Sequence, residues 1–284
     1  TATAGDGITS DQTLVISGTA EALSDVEVFL DNLSIGTIAA NGSGDWAFDY
    51  TGTTLDEGNY AFTAKATDAA GNVSGVSTFA VKIDTTPPTS SVQGGGETWH
   101  NGTATVVITA QDVAGVDRIA YHIVGDSART VIVGSRASFD VSGDGVHEYE
   151  YNVVDVLGHV SETRAFQVRI DTLAPTVSTT GADDVWHATD VTVSLSATDP
   201  GEPAASGVAG IEYRRGKSGA WIYQAGGSAD VVVLAAENEG STLYQYRAMD
   251  AAGNTSRIAT FTVKIDTVAP VSSAQGGGST WRKA

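Results

Sequence analysis

Apolar and polar residues alternate along this chain in short runs, and turn formers cut the runs before any helical stripe can develop. In the first part of the chain the alternation predicts strands near Gln12–Ser17, Val26–Leu30, Ser34–Ala40, Trp46–Tyr50, Gly58–Thr67 and Ser77–Ile83. Asp31-Asn32, Asn41-Gly42 and Asp56-Glu57-Gly58 separate them, which is hairpin chemistry. The last run puts Phe79, Val81 and Ile83 on one face and Lys82 on the other. The same alternation returns at Phe166, Val168 and Ile170, and again at Phe261, Val263 and Ile265. Period two, with many Thr, Ser and Val, predicts an all-β chain.

The runs recur in a fixed frame. An Asp-x-x-Gly turn starts at Asp68, Asp155 and Asp250, and sixteen residues after each Asp stands the Asp of an Ile-Asp-Thr-x-x-Pro ending: Asp84, Asp171 and Asp266. The intervals between copies are 87 and 95 residues, so the chain repeats one folding unit. Ten residues before each turn Asp lies the Gly of an acid-Gly pair (Glu57-Gly58, Asp144-Gly145, Glu239-Gly240). Six residues before it lies an aromatic: Phe62, Tyr149 or Tyr244. Turn, aromatic and alternating strand fit the E–F corner and strand F of an immunoglobulin-like sandwich, with the Ile-Asp-Thr strand as strand G. The expectation is three tandem seven-strand sandwiches in an elongated array, over residues 1–86, 87–173 and 174–268. Residues 269–284 form a linker and the start of a further repeat, since Val271–Gly278 with Trp281 echoes Ser90–Gly96 with Trp99.

Composition narrows the function classes. The 284 residues contain no Cys, which excludes disulfides, thiolate zinc sites and a Cys nucleophile. A net charge of −19 disfavours nucleic acid and anionic membranes as partners. No apolar run is long enough to span a bilayer. The five His residues show no H-E-x-x-H spacing, no G-x-S-x-G elbow is present, and Gly216-Lys217-Ser218 reads as a hairpin turn. The chain is expected not to be an enzyme.

Ile16-Ser17-Gly18-Thr19-Ala20, Asn41-Gly42-Ser43-Gly44-Asp45-Trp46 and the Asp68–Asn72 turn resemble the bacterial immunoglobulin-like repeats of large surface adhesins and biofilm proteins. The later units resemble more loosely such repeats in secreted cell-surface proteins and polysaccharide-active enzymes. The resemblance implies a bacterial, extracellular or cell-surface stalk or spacer, some of whose relatives hold calcium at domain junctions. His159 departs from the pattern, standing where the other turns have Asn72 and Asn254.

Sandwich topology makes a junction of the repeat. The end of strand G and the E–F corner lie at the exit pole of a unit, and the B–C and F–G turns at its entry pole. Asp84 with Glu57 is therefore expected near Asp112, Asp117 and Asp155, and Asp144 and Asp171 near Asp199, Glu202 and Asp250. Converging carboxylates are candidate calcium ligands; read singly, each Asp is also explained by an Asx-turn. For ligand binding, Trp221 and Tyr223 form the candidate exposed patch, beside Arg214, Arg215 and Lys217. Trp99, Trp186 and Trp281 recur in register and read as core or linker-covering residues. The leading expectation is a non-enzymatic adhesin or stalk segment whose partners are neighbouring repeats and a surface glycan or cell-surface protein. The alternative is an accessory binding or spacer region of a secreted polysaccharide-active enzyme.

Overall fold

A computed structural model describes residues 7–201 and 205–273. Every regular element longer than one turn is a strand. The first seven are β1 (Ile8–Thr9), β2 (Val15–Thr19), β3 (Asp25–Leu30), β4 (Leu33–Ala39), β5 (Asp45–Asp49), β6 (Gly58–Thr67) and β7 (Ser77–Ile83). Next come β8 (Thr89–Gln93), β9 (Trp99–His100), β10 (Ala104–Gln111), β11 (Val116–Ile123), β12 (Thr130–Val133), β13 (Arg136–Val141), β14 (Gly145–Asp155) and β15 (Arg164–Ile170). The last are β16 (Thr176–Thr180), β17 (Trp186–His187), β18 (Val191–Thr198), β19 (Val208–Arg215), β20 (Ile222–Ala225), β21 (Ser228–Val233), β22 (Gly240–Asp250) and β23 (Ala259–Ile265).

One topology is written three times. The larger sheets run β1-β7-β6-β3-β4, β12-β11-β14-β15-β9 and β17-β23-β22-β19-β20, and the smaller ones are β2-β5, β13-β10-β8 and β16-β18-β21. The strand expected at Gln12–Ser17 starts only at Val15, because Asp11 Oδ1 accepts from the amide and hydroxyl of Thr13 and holds that stretch as a turn. Eight strands, rather than seven, make up the second and third sheet pairs. There the entering chain splits in two: β8 and β16 join the smaller sheet in antiparallel pairing, and β9 and β17 join the larger one in parallel pairing. Among the described residues the first pair shows the second half, β1, parallel to β7.

The chain forms two compact units, Thr1–Gly94 with Thr105–Phe139 and Glu148–Phe166, and Gly95–Ala104 with Asp140–His147 and Gln167–Ala284. In the first unit Leu14, Ile16 and Trp46 of the β2-β5 side meet Val26, Val28, Phe62, Val81 and Ile83 of the larger sheet. The same unit carries an aromatic ladder, Tyr121 on Phe139 at 4.2 Å, then Tyr149 and Phe166, each ring 5.3 Å from the one before. In the second unit Val193, Leu195 and Val231 face Ile211, Tyr244, Tyr246, Phe261 and Val263. Burying such side chains is worth roughly 1.5–3 kcal/mol each, which is what holds sheet to sheet.

Each Asp-x-x-Gly turn closes by one set of contacts. Gly71, Gly158 and Gly253 sit at φ 87°, 96° and 92°, the left-handed region where any side chain is strained. Asp68 N, Asp155 N and Asp250 N donate to the carbonyls of Asn72, His159 and Asn254. The turn Asp thus stands at the tip of its strand with its carboxylate folded back over the turn.

Candidate metal centres

Two carboxylate trios stand out among the described residues. Asp84 follows β7, Asp112 follows β10 and Asp155 ends β14; one oxygen from each lies within 4.8 Å of the others. Asp171 after β15, Asp199 after β18 and Asp250 at the end of β22 repeat the arrangement. In both trios two members are buried, Asp84 and Asp155 at 1 % exposure each in the first, Asp171 and Asp250 in the second, and the third is half-buried.

Local turns place every member. Asp155 Oδ1 accepts from the amides of Leu157 (2.9 Å) and His159 (2.8 Å), and its Oδ2 meets His159 Nδ1 at 2.7 Å. Asp250 accepts from the amide and the side-chain Nδ2 of Asn254, both at 2.8 Å. Asp84 Oδ1 takes the amide (3.1 Å) and hydroxyl (2.9 Å) of Thr86. Asp171 takes the Leu173 amide at 3.0 Å and, through Oδ2, the Ser206 amide at 2.8 Å. Asp112 accepts from Ala114 N (2.8 Å) and Asp199 from Gly207 N (2.7 Å). Asx-turns thus account for one oxygen of nearly every Asp. They leave Asp84 Oδ2 and Asp199 Oδ1 buried without a hydrogen-bond partner, a costly state for a carboxylate oxygen.

The electrostatics are strained in the same place. At an effective dielectric of about 20, two unit charges 4.8 Å apart repel by roughly 3.5 kcal/mol, and each trio contains three such pairs. Burial, reinforced by the charges of Asp84 and Asp155, raises the Asp112 carboxyl above its ordinary range despite the Ala114 amide. Burial and the charges of Asp171 and Asp250 do the same to Asp199. Burial also pushes Asp84 up, but the Thr86 amide and hydroxyl together with His159 outweigh it, and its net shift is downward. Oxygen-only donors at this proximity can hold a divalent ion of the hard class.

The raised pKa of Asp112 carries a prediction. Its protonated form is favoured in the fold, so its contribution to stability is present below the ordinary carboxylate range and is lost as pH rises through the raised value. Asp112→Asn therefore stabilises the metal-free protein at neutral pH by on the order of 1 kcal/mol, and the gain disappears on acidification. Urea unfolding of both proteins across that range is the check; a gain that persists at low pH contradicts the repulsion argument.

The remaining candidates lie elsewhere. Glu57 and Asp144 do not join the trios: Glu57 Oε2 accepts from the Thr85 hydroxyl (3.4 Å), and Asp144 from the amide (2.8 Å) and hydroxyl (3.2 Å) of Thr172. Glu239 takes the amide of Thr267 in the same way. The register explains this, since Gly58 pairs with Ile83 and Gly240 with Ile265, which sets the preceding acid across from the Asp-Thr ending. Asp117 is exposed and pairs with its neighbour Arg118. Glu202 lies outside the described residues. Thr86 and Ser206 join the trios although no sequence pattern marked them, and Asn254 of the third turn uses its Nδ2 to donate to the Asp171 carbonyl at 2.7 Å. Ser206 sits in the extra Asp199–Gly210 loop, and its position after an Asp carried no signal of its own.

The aromatic patch satisfies itself. The guanidinium groups of Arg214 and Arg247 lie 4.3 and 4.6 Å from the Trp221 ring, and they are held by Gln245 and Glu212. Tyr223 is exposed, with its hydroxyl donating to the Ala209 carbonyl at 2.9 Å. The recurring tryptophans differ from each other. Trp99 is half-buried beneath the guanidinium of Arg169, whereas Trp186 is 57 % exposed, because its cross-strand neighbour is Lys264, which pairs with Asp184 instead. Trp281 lies outside the described residues.

Residues 1–85 match the family described as "Bacterial Ig-like domain". That stretch carries an Ig-like β-sandwich domain, and the described residues of the chain as a whole are all-β, arranged in paired sheets. Such modules are typical of secreted and cell-surface bacterial proteins, and they are non-catalytic. The chain is 30 % identical over 250 residues to Exoglucanase B of Cellulomonas fimi. That match covers 82 % of the chain, which spans 22 % of the relative's length. Among solved structures, the fibronectin(III)-like modules of CbhA from Clostridium thermocellum align at 12 % identity and TM-score 0.36, covering 66 % of this chain and all of theirs. The ligand-binding domain of human OSCAR aligns at 13 % identity and TM-score 0.27, covering 61 % of this chain and 96 % of its own. No helix among the described residues is long and apolar enough to cross a membrane.

Proposed function

We propose that this chain is a non-catalytic spacer in a secreted, polysaccharide-active bacterial protein, built of three Ig-like modules at residues 1–86, 87–173 and 174–268 and braced by calcium where one module follows the next. The observation that carries the spacer role is the match to Exoglucanase B, which runs along most of this chain yet occupies about a fifth of that relative. It favours the accessory reading over the adhesin stalk. The self-satisfied Trp221 patch also favours spacing over sugar binding, since its ring already stacks on two side chains of the same sheet.

The brace follows from module boundaries and donors together. With those boundaries Asp84 comes from one module and Asp112 and Asp155 from the next; Asp171 is likewise followed by Asp199 and Asp250. A calcium ion at each trio draws on these carboxylates, answers the unpartnered oxygens of Asp84 and Asp199, and neutralises the repulsion. Pro88, Pro175 and Pro270 after the Ile-Asp-Thr endings restrict the links further.

Co-sedimentation with insoluble cellulose and xylan tests the role. A spacer stays in the supernatant on both, and Trp221→Ala changes nothing. Retention that Trp221→Ala abolishes replaces the spacer with a glycan-binding module. Small-angle scattering with and without chelator tests the brace, for which the chelated protein shows a broader distribution of dimensions.

A further inference from the structure

The two carboxylate trios repeat one another, but their surroundings do not. At the second trio, direct bonds join the residues before the link to those after it. The Ser206 amide donates to Asp171 Oδ2 at 2.8 Å, and Asn254 Nδ2 donates to the Asp171 carbonyl at 2.7 Å while also holding Asp250 Oδ2 at 2.8 Å. Leu173 Cδ1 lies 3.2 Å from where a Cβ on Gly201 would stand, and Asn101 Nδ2 lies 3.8 Å from the same point on Gly253. At the first trio the corresponding groups bond locally. Asp84 Oδ1 takes the amide and hydroxyl of Thr86, its neighbour in the link, and its Oδ2 is buried with no partner. His159 stands where Asn254 does, and both its amide and its Nδ1 go to Asp155. Thr86 replaces Leu173, and nothing lies within 4 Å of the point on Gly158 that corresponds to the Asn101 contact of Gly253. Among the described residues, no hydrogen bond of Asp84, Thr86 or His159 crosses the first link.

The cause is the donor count of one side chain. A primary amide carries two hydrogens on Nδ2, and Asn254 divides them between Asp250 and the Asp171 carbonyl. An imidazole Nδ1 carries one hydrogen at most, and His159 spends it on Asp155. With the module boundaries and the calcium reading proposed above, on which this step rests, the two links become different joints. The second is latched by direct bonds in the metal-free protein, and an ion adds to a joint already closed. The first, without an ion, holds three carboxylates that repel one another and a buried oxygen that lacks a donor. We infer that calcium controls bending at the first joint and not at the second, because the residue four places after the turn Asp decides whether a joint latches by itself. An ion shifts a conformational equilibrium only as far as it prefers one state. Opening the first joint disperses its trio, so the ion prefers the closed form and draws the joint shut. The spacer then has one joint whose freedom follows the calcium concentration and one that stays aligned throughout.

The chain has no Cys, so pairs of spin labels can report each joint separately. Ala47→Cys/Ser138→Cys spans the first joint and Val146→Cys/Ser194→Cys the second, all at exposed strand positions. Pulsed dipolar spectroscopy of the full chain then gives two distance distributions, each with chelator and with calcium. In chelator the first distribution is broad and the second narrow; calcium narrows the first by roughly twofold and leaves the second unchanged. Exchanging the two side chains transfers the behaviour. Asn254→His keeps a donor for Asp250 but loses the bond to Asp171, so the second joint broadens in chelator and becomes responsive to calcium. His159→Asn narrows the first joint in chelator. Equal widths at the two joints in chelator overturn the inference, as does a second joint that stays narrow in Asn254→His. Calorimetric titration of the same proteins with calcium separates this from the reading beneath it. Binding heat with equal widths removes only the asymmetry, whereas absence of heat removes the calcium brace at both trios and calcium control of the first joint with it.

Discussion

Saturating calcium raises the melting temperature of the metal-free protein by roughly 5–10 °C. The figure assumes free ion at about a hundred times its dissociation constant, which adds about 2.7 kcal/mol at one site, spread over a unit of about 150 residues. The argument starts from what the trios lack without the ion. Three carboxylates within 4.8 Å of one another carry repulsion that the surrounding amides only partly offset, and Asp84 Oδ2 and Asp199 Oδ1 have no hydrogen-bond donor. Because the unfolded chain does not hold the three groups together, an ion bound there stabilises the fold. Asp84→Ala removes the response of the first trio and leaves that of the second, and Asp171→Ala does the reverse. Asp112→Asn separates charge from shape, since it keeps an oxygen for Ala114 N while lowering both repulsion and affinity. The turn at Asp68 is an internal control. Its carboxylate takes Ala70 N, Asn72 N and Asn72 Nδ2, and shares with Asp155 and Asp250 the amide bond from the residue four places on, but no second and third carboxylate join it among the described residues. Asp68→Asn should leave the calcium response unaltered. Calorimetric titration with calcium and with magnesium decides the matter, and absence of heat together with an unmoved melting temperature ends the metal reading.

The trios were largely legible in the sequence because their members sit at tips of strands fixed by the repeat. Asp84 closes one copy of the sixteen-residue spacing and Asp155 opens the next, as Asp171 and Asp250 do, and only sandwich topology brings them together. Glu57 and Asp144 show where that reasoning runs out. Both lie close along the chain to a trio member, but their direction depends on the register of β6 on β7 and of its equivalents, which turns them onto a Thr. Register is a property of pairing, and composition does not reveal it. Ser206 was invisible for another reason. Its amide reaches Asp171 across 35 residues, from a loop whose course no local pattern encodes.

The same limit produces a large difference between two phenylalanines that read alike. Phe261→Ala should cost about 3–5 kcal/mol and Phe79→Ala only about 1 kcal/mol. Each occupies the third position of its final strand and faces inward by alternation, opposite the aromatic of the preceding strand: Tyr244 for Phe261 and Phe62 for Phe79. Phe261 stacks on Tyr244 at 5.0 Å with an interplanar angle of 7°, and it belongs to a core that Val177 of β16 helps to close. Removing its ring leaves a cavity that rigid sheets on both sides cannot fill. Phe79 faces the groove beside β2, where solvent already reaches it, so truncation forfeits less burial and leaves no sealed void. Alternation predicts which face a side chain takes but is silent on whether a strand from elsewhere covers that face. Urea unfolding of the two variants, read by probes in each unit, measures the difference. Equal costs would mean that the first pair is closed in solution as the third is.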